Sequence, residues 1–105
     1  MTFYLLELFG DSVNIRIIEV LLQNLLKENP KTGFIWMNIS QMAEVAQVAK
    51  SSTKRIVDKL LDRNFIIEKP IQTHAQSPPR LVRLNSDKQA INELVFFYRK
   101  ARGFL

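Results

Sequence analysis

The chain has no cysteine. That excludes disulfides and thiolate metal sites. Its single histidine, His74, leaves no multi-histidine metal site within one chain. Glycine is almost as scarce. Gly10, Gly33 and Gly103 are too scattered to form a loop that cradles phosphate. A Ser-His-acid set would have to use His74, which sits in a polar, proline-rich stretch with no scaffold to position it. No enzyme activity, metal or cofactor is expected. The longest apolar stretch, residues 15–26, is interrupted by Arg16, Glu19, Gln23 and Asn24. It is too short and too polar to span a membrane. Residues 1–9 have neither a basic leader nor a small-residue cleavage site, so a cytoplasmic setting is expected. The Asn38-Ile39-Ser40 sequon is then a chance match.

What is present is an apolar, basic chain. Its 105 residues, 47% hydrophobic, suit one domain spanning 1–105. A chain this short buries a limited share of its surface, so a partner subunit would help. The net charge is +5, with a pI near 9.8. A basic balance speaks of partners rather than of fold. The charge is also segregated. Residues 50–83 hold eight basic side chains against three acidic ones, a net +5, whereas residues 1–30 carry −2.

Hydrophobic periodicity divides the chain into seven elements, read as helix, strand, helix, helix, strand, strand, helix. Asp11 or Ser12 caps a helix over residues 13–28 whose apolar residues cover well over half its circumference. Residues 34–39 are aromatic and branched, a short strand. Ser40 then caps a helix that runs to about Gln47, and residues 48–50 form a turn. The next helix covers residues 51–63 and stops at Asn64, a residue that tolerates the left-handed conformation. Residues 65–72 and 80–84 pair as strands around a polar tip at 73–79. Ser86 and Gln89 have the spacing of a capping box for a last helix ending near Arg102.

A helix pair followed directly by a hairpin resembles the winged helix-turn-helix family, in particular its MarR and ArsR types. The resemblance rests on Ala43 in the first helix, Val48 in the turn, and Ser52 and Arg55 on the second helix. Leu60 and Asn64-Phe65-Ile66 continue it into the wing. Gln47 departs from the usual turn glycine, Ala49 from the usual capping serine and Asn64 from the terminal glycine. The resemblance implies an α+β winged helix-turn-helix: a three-helix core, a small antiparallel β-wing and an extra C-terminal helix for dimerisation. ArsR-like metal sensing is not implied, because its cysteines and histidines are missing. A small-molecule pocket between helices, as in MarR-like proteins, has no mark in this sequence.

The residues themselves point the same way. With Thr53, Ile56, Val57, Leu60 and Leu61 turned to the core, the second helix exposes Ser51, Ser52, Lys54, Arg55, Asp58, Lys59 and Asp62. A recognition helix enters the major groove with its N-terminal residues at the base edges. Arg55 suits a bidentate bond to guanine, and the hydroxyls suit phosphate or base. The expected DNA contacts are Lys50, Ser51, Ser52, Lys54, Arg55, Lys59, Lys69, His74, Arg80 and Arg83. The expected function is sequence-specific binding of double-stranded DNA by a homodimeric, nucleoid-associated transcriptional regulator, most simply a repressor. The alternatives are a DNA-binding adaptor in plasmid or chromosome segregation or replication initiation, and a winged-helix module that binds a protein partner. Residues 1–11 and 86–105 carry more aromatic surface than a small core needs, and are expected to form a dimer interface. Its candidates are Phe3, Leu6, Phe9, Leu94, Phe97, Tyr98 and Ala101. The competing arrangement packs these termini within the chain against the first helix.

Overall fold

Ser12 settles where the first long helix begins, since its hydroxyl accepts from the Ile15 N–H at 3.1 Å. A computed structural model describes residues 3–27, 36–69 and 80–103. Its elements are α1 (Leu5–Phe9), α2 (Val13–Leu26), β1 (Met37–Asn38), α3 (Ile39–Ala46), α4 (Lys50–Asp62), β2 (Ile66–Lys69), β3 (Leu81–Leu84) and α5 (Gln89–Ala101). The strands form an antiparallel sheet of order β1-β3-β2, with Met37 opposite Val82 and Ile66 opposite Leu84. That register places Met37, Val82, Leu84 and Ile66 in the core, with Ile17, Leu21 and Leu22 of α2 at its centre. Met42, Ala46, Ile56 and Val57 seal it from the helix pair, and Leu5, Ile91 and Tyr98 from the terminal helices. The wide apolar arc of α2 is used on several sides: α1, α3, α4 and β3 all pack on it.

Several expectations need correction. The residues before α2 include a short helix, α1, that periodicity did not show. The cap of α3 is Asn38, not Ser40: its side chain accepts from Gln41 N at 2.8 Å, and Gln41 Oε1 accepts from Asn38 N at 2.9 Å. The strand before it is only Met37–Asn38 in the described residues, and Phe34 and Ile35 lie outside them. Lys50 opens α4 rather than closing the turn. Ser86 caps nothing. Instead the Asn85 side chain accepts from Asp87 N at 3.1 Å, forming a turn, and α5 starts at Gln89 with no side-chain cap.

A buried carboxylate ties the termini together. Glu19, in mid-α2, is fully buried. It accepts from the backbone N–H of Tyr4 at 2.6 Å and of Leu5 at 2.7 Å, and from the Tyr98 hydroxyl at 2.7 Å. Gln23 Nε2 lies 3.4 Å from it and donates to the Tyr98 oxygen at 3.0 Å. Helix geometry leaves the first N–H groups of α1 without intrahelical partners, and Tyr4 offers no side-chain cap. Glu19 supplies the missing acceptor from across the chain, with a charge that suits a helix start. Burial, reinforced by the hydrogen bond to Glu19, pushes the Tyr98 hydroxyl pKa well above that of an ordinary tyrosine.

Arg16 makes a second tie. It grips Asp11 through two bonds of 2.7 and 2.8 Å and donates to the Ala46 carbonyl, at the end of α3, at 3.1 Å. The hydrogen bond from Arg16 holds the Asp11 carboxyl below the usual carboxylate range.

Gln47 follows, with φ 59° and ψ 48°. This left-handed conformation costs a residue with a Cβ roughly 1–2 kcal/mol. Glycine removes that strain but gives the unfolded chain more freedom. Gln47→Gly is therefore expected to stabilise the fold by about 0.5–1 kcal/mol, read as a higher urea midpoint at unchanged m-value. A lower midpoint would mean that the Gln47 side chain contributes more than its backbone strain costs.

Candidate nucleic-acid interface

Helix α4 has a buried seam and an open face. Thr53, Ile56 and Val57 are buried, and the Thr53 hydroxyl donates to the Ala49 carbonyl at 3.0 Å. The opposite face exposes Lys50, Ser51, Lys54, Arg55, Asp58, Lys59 and Asp62, with Ser52 half-buried at its edge. Ala49 provides no side-chain cap for the first-turn amides. The N-terminal half of α4 therefore combines N–H groups, hydroxyls and cations, a set of donors suited to phosphate and base edges.

The ion pairs among the described residues are Arg16–Asp11, Arg80–Asp58 and Arg80–Glu68. None takes Lys50, Lys54, Arg55 or Lys59, whose charges face solvent. Asn64, at φ 60°, turns the chain sharply after α4 and sends it into β2. The wing thus starts directly beside the open face.

The wing arginines behave differently. Arg80, just before β3, donates from Nη1 to Asp58 of α4 at 2.7 Å and from Nε to Glu68 of β2 at 3.0 Å. Those bonds, Asp58 first, raise its pKa above the usual arginine value. Its guanidinium braces the wing against the helix. Arg83 is almost fully buried. Antiparallel register carries it beside Trp36, and its guanidinium lies 5.3 Å from the indole centroid. It also donates to the Leu84 carbonyl at 3.3 Å and the Ser86 hydroxyl at 3.4 Å. Its side chain is thus turned away from the surface expected for it. Lys69 is exposed at the end of β2, with Nζ 5.9 Å from the Trp36 ring centroid. His74 lies outside the described residues.

The terminal candidates also separate. Tyr98 is fully buried and bonded to Glu19, which corrects its placement on a subunit interface. Phe3 and Leu94 pack on the core from half-buried positions, and Leu6 is half-buried. Phe9 and Phe97 are exposed, their ring centroids 6.3 Å apart, and Ala101 is exposed on the same helix as Phe97. Among the described residues no group of His, Asp and Glu could hold a metal, and no helix is long and apolar enough to cross a membrane.

No family profile and no curated protein matches the sequence. Solved structures match its fold. A MarR family transcriptional regulator from Silicibacter pomeroyi DSS-3 superposes with a TM-score of 0.54 at 21% identity, over 91% of this chain and 60% of that one. RV1404 from Mycobacterium tuberculosis gives a TM-score of 0.54 at 17% identity, over 94% and 60%. A further MarR family transcriptional regulator from Silicibacter pomeroyi gives 0.51 at 19% identity, over 94% and 62%. The chain has the α+β winged-helix fold of these proteins, and spans about 60% of their length.

Proposed function

We propose that this chain binds double-stranded DNA in a sequence-dependent way, as a homodimer, and regulates transcription by occluding a promoter. The observation that carries the reading is the cationic N-terminal half of α4: Lys50, Lys54 and Arg55 with Ser51, on an open face, none in an ion pair among the described residues. Arg55 is assigned to a base edge, Lys54 to base or phosphate, and Lys50, Ser51, Ser52, Lys59 and Lys69 to the phosphate backbone. His74, on the wing tip by sequence, keeps the backbone or minor groove. Arg83 is left out because it is buried, and Arg80 is assigned to bracing the wing. The MarR-type fold of the solved neighbours supports the reading, as does the concentration of positive charge in residues 50–83. The proposed setting is the cytoplasm, on the nucleoid.

Titration against mixed-sequence duplex by fluorescence anisotropy at low salt tests this reading, followed by selection of a preferred site. Arg55→Ala is expected to weaken that site by about 1–3 kcal/mol and to relax preference at one base pair per half-site. A uniform loss on every sequence would make Arg55 a phosphate contact. Absence of binding at low salt would remove DNA from the proposal and leave a protein partner.

A further inference from the structure

Beside α5 lies an apolar cavity of about 280 Å³, lined by Ile18, Leu60, Phe65, Leu84, Ala90, Ile91 and Leu94. A ligand site normally adds a few convergent polar groups that orient its occupant. Every side chain lining this one is hydrocarbon. The space is nonetheless ample for a ring, since an apolar cavity of roughly 150 Å³ already takes benzene.

We infer that this cavity is a socket for an aromatic side chain of a second copy of this chain, with Phe97, backed by Phe9, as the knob. The inference rests on the homodimer of the proposed function and deepens it. Three observations carry it. First, Ala90 and Leu94 on the socket rim share one stripe of α5 with Phe97 and Ala101, at helical spacings of four, seven and eleven residues. The socket and the exposed Phe9–Phe97 pair are therefore parts of one continuous apolar surface.

Second, the two lie at different heights on the helix. Phe97 is three residues beyond Leu94 and seven beyond Ala90, roughly 5–10 Å along the axis. A two-fold axis across the stripe reverses the direction of the second helix. Each knob then falls on the other copy's socket, as an isologous contact requires.

Third, charge favours that reversal. Glu93 lies at the socket end of α5, whereas Lys100 lies beyond the knob on the same flank of the stripe. In the antiparallel pair the acid of each copy approaches the basic end of the other. Two parallel helices would instead leave the acid of each copy roughly 10 Å along the axis from the other's Lys100.

Sedimentation velocity on the full chain and on two variants tests the inference. Phe97→Ala removes the knob and keeps the socket. Ala90→Trp blocks the socket and keeps the knob. Both positions are exposed, and an unchanged circular dichroism spectrum at 25 °C would confirm that each variant folds. Losing a buried aromatic anchor typically costs a factor of about 30 in Kd, so losing both symmetric contacts raises it about 1000-fold. The decisive measurement mixes the two variants. The heterodimer retains one intact contact, the Ala90→Trp copy's Phe97 in the Phe97→Ala copy's socket. It should form with a Kd about 30-fold tighter than either mutant homodimer. A dimer indifferent to Ala90→Trp, no rescue on mixing, or a wild-type chain that stays monomeric would each overturn the inference. In the first case benzene uptake by the dimer would identify the cavity as a small-ligand site. Failure of the DNA reading is distinguishable, since labelled duplex would then show no rise in anisotropy while the dimer still forms.

Discussion

Glu19→Ala is expected to destabilise the fold by about 4 kcal/mol and to lower its melting temperature by about 15–30 °C. The carboxylate accepts from three well-placed donors, the Tyr4 and Leu5 amides and the Tyr98 hydroxyl. A buried donor left without an acceptor costs about 1–3 kcal/mol. Water entering the space vacated by the side chain would recover part of that, so the sum of three is an upper bound. The loss is large beside the roughly 5–15 kcal/mol that holds a domain of this size together. It is also localised, because α1 hangs on those two amides. Hydrogen exchange at Tyr4 and Leu5 should accelerate before the rest of the core opens. A loss below about 1 kcal/mol would mean that the amides find other acceptors and that Glu19 is not what fixes α1.

Tyr98 carries the pH dependence of this network. Its folded-state pKa is raised, by burial first and by Glu19 second. The folded chain therefore keeps the phenolic proton to higher pH than the unfolded chain, whose tyrosine titrates near 10. Above that pH the unfolded state binds fewer protons. Stability present below about pH 10 is then lost as pH rises toward the folded pKa. Tyr98→Phe should cost stability at neutral pH and flatten this alkaline decline. Parallel declines in both proteins would assign it to other groups.

The course of α4 was legible because one period accounts for it: Thr53, Ile56 and Val57 repeat on one face and the cations occupy the other. Asn64 was legible because few residues accept its conformation. Glu19 was not. In sequence it interrupts an apolar run, and its partners are 14, 15 and 79 residues away. Periodicity cannot signal a polar residue whose acceptors are required by a different helix. Arg83 failed for a related reason. Counted by charge it belongs to the surface, and only strand register sets it against Trp36. The α3 cap was within reach of the sequence, since Asn38 and Gln41 have the capping-box spacing. The same spacing at Ser86 and Gln89 misled, because Asn85 forms a competing turn first.

DNA affinity should fall with salt at a log–log slope of about −9, close to 10⁵-fold between 50 and 200 mM. Five cations per protomer are assigned to DNA, Lys50, Lys54, Arg55, Lys59 and Lys69, all exposed and none in an ion pair among the described residues. Ten in a dimer, each releasing about 0.9 counterion, give that slope. Lys54→Ala/Arg55→Ala removes four and should reduce it to about −5 to −6. Arg80 is the informative control. Its guanidinium already faces Asp58 and Glu68, so Arg80→Ala releases no additional counterion. It loosens the wing, and should lower affinity with the slope unchanged. A slope reduced by about 2 would instead make Arg80 a phosphate contact in both subunits. A wild-type slope near −4 to −5 would mean one protomer at the DNA. The bracing of the wing would then still stand, whereas the paired half-sites would not.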